Sequence, residues 1–414
     1  MTEEHQLHTR RTTCRGCDGT RLHPFLELGD MPLANAFLGD PSEFAGEREF
    51  PLDVYRCRDC SLVQLLDVID TSVLFSHYLY LTGVADTISV HQQEYARTVS
   101  DYLQLDANDL VVEIASNDGS FLQHFRERGQ RVLGIEPAKN IAAIALERGI
   151  DTLDAFFDEQ LGQDLSSRYP SARAVIANNV LAHVDEPIGF LRGCRHLIGT
   201  DGYVIIEVPY LADLLERLEY DTIYHEHLSY FSVTALQNLF ERAGLWLSRV
   251  DRFPIHGGSL RLYATTTGEH APNVHQLVAA EHAQGMAGAE LYAEFAARVR
   301  MNREQLRTML QELRSKGHSV AAYGAPAKGN TLLNFCQIDS TQIPFIADRN
   351  PLKVGKYTPG SHIEVKSVSA LIEEQPDYVL ILAWTLAEEI THQLRGHLGP
   401  STRFIVPIPT PRVV

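Results

Sequence analysis

Tyr224, His225, Glu226 and His227 form an unbroken run inside the stretch YHEHLSYF. A hydroxyl, two imidazoles and a carboxylate in four residues suit proton transfer near neutral pH, where histidine titrates. A solvated polar loop is the bland reading of the same residues. HEH lacks the i, i+4 spacing of the zinc-binding HExxH motif, so the run points to acid–base rather than metal chemistry. A second set, Cys14-x-x-Cys17 and Cys57-x-x-Cys60, fits a tetrahedral zinc site, because each short knuckle presents two thiolates to one ion. Disulfides are the rival reading, disfavoured in a reducing cytosol. Neither knuckle contains a histidine, and four thiolates leave no open coordination position, so the metal is expected to be structural. The spacer, residues 18–56, is longer than in a compact zinc ribbon and should contain strands of its own.

The elements around these residues alternate. After a helical stretch near residues 87–105, LVVEIASNDG reads as a buried strand running into a glycine turn, and SFLQHFRERG as the helix that follows. RVLGIEP, ARAVIANNV and GYVIIEVP are further strands, separated by helical segments. The C-terminal hundred residues repeat this plan: HSVAAYGA and IPFIADRN are strands, KGNTLLNFC opens a helix, and PDYVLILAW and RFIVPIP are strands again. Such alternation builds parallel sheets covered by helices on both faces. Between the two regions lie the strand-like GGSLRLYATTT and a long helical stretch, expected to break near Gly285 and Gly288. The fold class is therefore α/β. A zinc-binding module is expected over residues 1–75, a Rossmann-like domain over 76–250 and a second Rossmann-like domain over 251–414.

In such sheets ligands bind beyond the carboxyl ends of the strands. The first turn, Glu113-Ile114-Ala115-Ser116-Asn117-Asp118-Gly119, fits neither GxGxxG nor a phosphate-binding loop, so a dinucleotide is not the first expectation. Acidic and amide groups there suit a cationic amino-acid head. Glu136 ends the second strand, where a carboxylate can accept ribose hydroxyls. With Asn178 and Asn179 ending a later strand, the set suits S-adenosylmethionine. In the C-terminal region, Gly324-Ala325-Pro326-Ala327-Lys328-Gly329-Asn330 joins a strand to a helix, whose N-terminus with a lysine is a ready anion site. A tight turn with an exposed lysine is the alternative.

The motifs CxxC…CxxC, VEIASNDGSF, GIEPAKN, YHEHLSYFS, HGGSLR and YGAPAKGNTLLN occur in that order. In this ordered set the chain resembles the deoxysugar C-methyltransferases, from about Cys14 to the C-terminus. The resemblance implies a zinc module, a central S-adenosylmethionine domain and a C-terminal Rossmann-like domain that holds a nucleotide diphosphate. It implies that Glu113, Ala115, Asn117 and Gly119 line the methionine end of the cofactor and that Glu136, with Pro137, holds the ribose. Phe156 and Phe157 would flank the adenine, core packing being their other reading. Asn178 and Asn179 complete the cofactor set. Substrate contacts would come from Gly324, Ala325, Lys328, Asn330 and Asp348, with His256 in the same cleft.

The implied reaction removes a proton from a carbon beside the ketone of a dTDP-4-keto-deoxysugar, carbon 3 in most relatives, and methylates the enolate. Such an enzyme needs a base near that proton and donors at the enolate oxygen. His227 is the candidate base. Glu226 would orient it or share the abstraction, and Tyr224 and His183 would donate to the ketone. Tyr78 or Tyr80, from YLYLTG, would join them. His225 ranks below the others.

The formal charge of −17 over 414 residues argues against nucleic-acid phosphates as partners. The sequence holds no apolar run near the ~18 residues of a membrane span, and its polar N-terminus lacks a signal-peptide core, so a cytoplasmic location is expected. Antibiotic or deoxysugar biosynthesis is the expected setting. Nothing in the sequence fixes the oligomeric state, and a monomer is compatible with it. Two other readings stay open here: a zinc-bearing methyltransferase of RNA or protein, and a non-methylating relative that keeps the pocket.

Overall fold

The structure, a computed structural model, describes residues 7–70, 74, 86–254 and 257–414. The N-terminal module is built from β1 (His8–Arg10), β2 (Leu22–Pro32), β3 (Glu49–Cys57), β4 (Val63–Leu65) and β5 (Asp67–Ile69). Along β3 the residues alternate, with Phe50, Leu52, Val54 and Arg56 buried on one face, the period of two that a half-covered strand requires. As the long cysteine spacer requires, β2 and most of β3 lie between the knuckles.

The central region contributes β6 (Leu110–Ile114), β7 (Arg131–Ile135), β8 (Thr152–Leu153), β9 (Ala172–Asn178) and β10 (Ile198–Pro209), followed by β11 (Ser229–Tyr230), β12 (Trp246–Phe253) and β13 (Ser259–Thr265). Seven of these form one sheet in the order β12-β13-β10-β9-β6-β7-β8. β6 to β10 run parallel, and β13 and β12 are added antiparallel at one edge. Every residue of β6 is buried, as expected of a strand covered on both faces. Because β6 has β7 on one side and β9 on the other, the chain order reverses there. That reversal opens a crevice at the carboxyl ends of these strands.

Two strands fall elsewhere than the sequence suggests. β12 runs through residue 250, and GGSLRLYATTT supplies β13, which pairs with β10, so the central sheet extends to Thr265. Apolar alternation identifies a strand but not the sheet it joins. β11, two residues long, leaves the central region altogether and becomes the edge of the zinc module's sheet, ordered β11-β4-β3-β2.

The C-terminal sheet comprises β14 (Val320–Tyr323), β15 (Phe345–Asp348), β16 (Glu364–Ser367), β17 (Tyr378–Ile381), β18 (Arg403–Val406) and β19 (Arg412–Val413), ordered β16-β15-β14-β17-β18-β19. Its own reversal lies between β14 and β17. Helices Pro272–Ala283 and Glu290–Ser315 join the two sheets and are interrupted near Gly285, whose φ of +82° ends the first helix. The second helix is shared. Its Phe295 packs in one buried cluster with Leu26 and Leu52 of the zinc module, Tyr220 of the central region and Ile346 and Ile405 of the C-terminal sheet. A separate cluster places Cys14, Cys57 and Cys60 against the central sheet. The three parts therefore share cores.

Candidate active site

The turn after β6 is held in an unusual backbone. Ala115, Asn117 and Gly119 have φ of +53°, +49° and +74°, a region that costs side-chain-bearing residues energy and that clusters at ligand sites. At Gly119 packing also disfavours a side chain, since a Cβ there would crowd Ile150 at 3.0 Å. Glu113 closes β6 with its carboxyl buried and Oε2 lacking any hydrogen-bond partner. Burial, with Glu136 and Asp118 nearby, pushes that carboxyl well above the usual range. A cationic amino-acid head placed there would relieve both costs. Glu136 accepts hydrogen bonds from the backbone N–H of Asn117 and of Ala138, both at 2.9 Å. The two bonds fix its carboxylate beside half-buried Pro137 at the end of β7 and leave acceptor capacity for a diol.

At the end of β9, Asn178 accepts from the Tyr95 hydroxyl at 3.0 Å. Asn179 adopts φ of +57° and donates its N–H to the Glu207 carbonyl. The two phenylalanines separate. Phe157 packs edge-on against Phe190 in the core, whereas Phe156 is 59% exposed beyond β8, with a ring available for stacking. These residues fit S-adenosylmethionine: an orphaned carboxyl for the cationic end, a fixed carboxylate for the ribose and a bare ring for the base.

The YHEH run is a tight turn. The N–H of His227 donates to the Tyr224 carbonyl at 2.8 Å, which brings residues three apart side by side. The Tyr224 hydroxyl lies 2.9 Å from His227 Nε2, and His227 Nδ1 lies 2.9 Å from the Thr222 carbonyl. A carbonyl can only accept, so the proton sits on Nδ1 and the lone pair on Nε2, where the tyrosine donates. The half-buried His227 ring meets His183 edge-on at 4.8 Å. Burial pushes His227 down to about 3, with His183 adding to the shift, and burial takes His183 down to about 4. Both rings are neutral at physiological pH.

The other two members of the run face the zinc module. Glu226 accepts from Asn35 at 2.6 Å, and burial raises its carboxyl against that hydrogen bond. His225 is buried and donates Nε2–H to the Phe50 carbonyl at 3.1 Å. The group that orients His227 is thus the Thr222 carbonyl rather than Glu226. Tyr78, Tyr80 and His256 lie outside the described residues.

The second crevice opens where β14 and β17 part. Gly324 ends β14 with φ of +84°, and a Cβ there would sit 3.2 Å from Ala383 at the end of β17. Lys328, on helix Ala327–Cys336, reaches across the reversal, donating to Thr385 Oγ1 at 3.0 Å with its Nζ 4.9 Å from the centre of the Trp384 ring. Trp384 Nε1 in turn donates to Asp221 at 2.6 Å. Asp221 is next to Thr222, so this crevice and the Tyr224–His227 turn share one short segment. Buried Glu219 of the same segment is raised to about 7, by burial and then by Asp221.

Not every expected substrate residue faces the crevice. Asn330 is fully buried and donates to the Ala34 carbonyl at 2.7 Å, bracing the zinc module rather than meeting ligand. Ala325 is buried, its N–H donating to Asp348 at 2.6 Å and its carbonyl accepting from Lys353 at 2.7 Å. Asp348 accepts a second backbone N–H, from Asn350, and lines an open cavity of about 560 Å³ with Arg349 and Ser367. Lys353 and Trp384 were not singled out in the sequence. The end of the strand beside the reversal would have pointed to Trp384. Lys353 carries no comparable signal.

The four thiolates Cys14, Cys17, Cys57 and Cys60 converge, with every Sγ within 4.8 Å of the others, Cys14–Cys60 at 3.5 Å and Cys17–Cys57 at 3.6 Å. Tetrahedral zinc with bonds of about 2.3 Å spaces its sulfurs by about 3.8 Å. The cysteines are free of disulfides. N–H groups of Gly16 and Asp59 and the Gln64 amide donate to the sulfurs, the outer support that a metal thiolate requires.

Family models match each part of the chain. A domain described as zinc binding matches residues 14–75, a methyltransferase domain residues 89–248 and a C-methyltransferase C-terminal domain residues 254–409. C-methyltransferase NovU of Streptomyces niveus is 40% identical over 404 residues, 97% of this chain and 96% of that protein. Among solved structures, magnesium protoporphyrin IX methyltransferase from Synechocystis PCC 6803 with bound SAM is 15% identical, with TM-score 0.34 over 47% of this chain and 88% of that one. The PH0226 protein of Pyrococcus horikoshii OT3 is 13% identical, with TM-score 0.39 over 47% of this chain and 99% of that one.

Proposed function

The chain belongs to the C-methyltransferase family, with S-adenosylmethionine as cofactor and a structural zinc, and from that premise we propose that it methylates a sugar carbon. The substrate is a dTDP-linked 4-keto-deoxysugar, methylated at carbon 3 beside the ketone, in deoxysugar or antibiotic biosynthesis. One observation carries the reading. Residues 219–227 join the Tyr224–His227 pair to the crevice of Lys328 and Trp384 through Thr222 and Asp221. A nucleotide diphosphate held at Lys328 would present its sugar to that pair.

S-adenosylmethionine supplies an electrophilic methyl group when bound. Glu113 and Glu136 would hold its amino-acid end and ribose, with Ala115, Asn117, Gly119, Pro137, Asn178 and Asn179 around them and Phe156 against the adenine. His227 Nε2 takes up the proton that deprotonation releases, by way of the Tyr224 hydroxyl. In the resting state its lone pair is held by the Tyr224 hydroxyl. The tyrosine oxygen takes the substrate proton as its own proton passes to Nε2, leaving a neutral tyrosine, an imidazolium and an enolate. Charging a buried imidazole is unfavourable alone, and the enolate forming beside it offsets that cost. His183, edge-on to His227, and a tyrosine of YLYLTG serve the enolate oxygen. Glu226, held by Asn35, supports the turn.

The test is incubation with S-adenosylmethionine and a panel of dTDP-4-keto sugars, read by mass for the gain of one methyl. A companion assay follows deuterium entry at the carbon beside the ketone without cofactor. His227→Gln is expected to slow that exchange by about 100-fold or more. No methyl gain on any member of the panel would sink the substrate assignment, and undiminished exchange in His227→Gln would sink the base.

A further inference from the structure

We infer that Arg15, the residue after the first zinc ligand, is a positioning residue that fixes the two histidine-bearing segments of the active site to the metal knuckle. The inference rests on the proposed role of the Tyr224–His227 turn. The Arg15 side chain has no exposed surface. Its Nη1 donates to the carbonyl of Leu65 at 2.5 Å and to that of Leu228 at 2.8 Å, and its Nη2 donates to Asp185 Oδ1 at 3.2 Å. Leu228 immediately follows His227, and Asp185 lies two residues beyond His183. One guanidinium therefore holds the chain just downstream of each ring.

The anchor leads back to the metal. The backbone N–H of Arg15 donates to Gln64 Oε1 at 3.1 Å, and Gln64 Nε2 donates to the Cys14 sulfur at 2.9 Å. Backbone pairing runs alongside. Leu65 N–H donates to the Leu228 carbonyl, Leu228 N–H donates to the Ala182 carbonyl, and Ser229 and Tyr230 pair with Gln64 and Val63. The strand leaving His227 is thus an edge of the zinc module's own sheet. A buried cation is a costly way to fill this space, and an apolar side chain would pack there at less expense in desolvation. What the guanidinium adds is a planar fork of donors that reaches two carbonyls and a carboxylate from one point.

The experiment uses the full zinc-loaded chain and its Arg15→Met and Arg15→Lys variants. Zinc per chain, S-adenosylmethionine affinity, deuterium exchange into the keto-sugar and the ¹⁵N resonances of His227 are measured. Arg15→Met is expected to keep one zinc and unchanged cofactor affinity, to shift the Nε2 resonance that reports the Tyr224 hydrogen bond, and to slow exchange by up to about 100-fold, the effect of roughly 1 Å of misplacement. Arg15→Lys should recover part of both signals. Unmoved resonances in the folded variants overturn the inference. So does loss of zinc, because the effect would then run through the metal. Moved resonances with undiminished exchange support the positioning role and count against His227 as the base. Should Arg15→Met fail to fold, the resonance in Arg15→Lys decides in the same sense.

Discussion

His227 is kept neutral by burial and kept in one tautomer by the Thr222 carbonyl, so its protonation state, and with it the proposed role as base, does not depend on bulk pH in the neutral range. The same burial has a thermodynamic consequence. His227 is lowered to about 3 and His183 to about 4, and His225 is lowered too, each first by burial. In the unfolded chain these rings take up protons near pH 6.5. Their depressed native values mean that this contribution to stability is complete above about pH 6.5 and is lost as the pH falls toward 4 and then 3. The melting temperature should therefore drop between about pH 7 and pH 5, and drop less in a His183→Asn, His227→Gln double variant. Equal drops in the two proteins would show that these rings do not titrate as described.

At the scale of elements, a very short strand has a large consequence. β11 spans two residues, too few to persist alone, yet it ties the turn bearing His227 to β4 of the zinc module. Asn35 on Glu226 and the Phe50 carbonyl on His225 add further ties from the same module. A structural zinc contributes its binding free energy to the fold that holds it. Chelation should then do more than loosen a peripheral module: the melting temperature should fall with decreasing free zinc, and the deuterium exchange rate should fall along with it. Exchange that survives complete zinc removal would show that the module does not hold the turn.

In the whole molecule residues 219–228 meet the segment that follows β9, through Ala182 and His183, and the end of β17, through Trp384. The reading of a split site makes a prediction that neither sheet makes alone. Lys328→Ala should remove a charged contact worth about 1.5–3 kcal/mol, raising KM for the nucleotide-sugar by roughly 10- to 100-fold, while affinity for S-adenosylmethionine stays as it was. A change confined to the cofactor side would place the anion elsewhere. Much of this was legible in the chain itself. The CxxC spacings name a zinc site because both ligands of a knuckle are local. Glu113 and Glu136 announce themselves because a strand's carboxyl end is where such a sheet opens. The run of Tyr224 to His227 suggests proton chemistry by residue type, the role proposed for it here. Other features depend on neighbours distant in sequence, where periodicity and motif carry no information. Asn330 looked like a ligand contact and instead braces Ala34, and GGSLRLYATTT, strand-like in sequence, gave no sign that its partner is β10. Tyr224 rather than Glu226 stands at His227 Nε2 because the run closes into a turn. Residue type and local spacing thus determined which chemistry is available, since those depend on side chains and on contacts within a few residues. Which lone pair His227 presents was settled by the turn from Thr222 to His227, and where that turn sits was settled by long-range packing, which brings Arg15, Asn35 and Trp384 to residues 221–228.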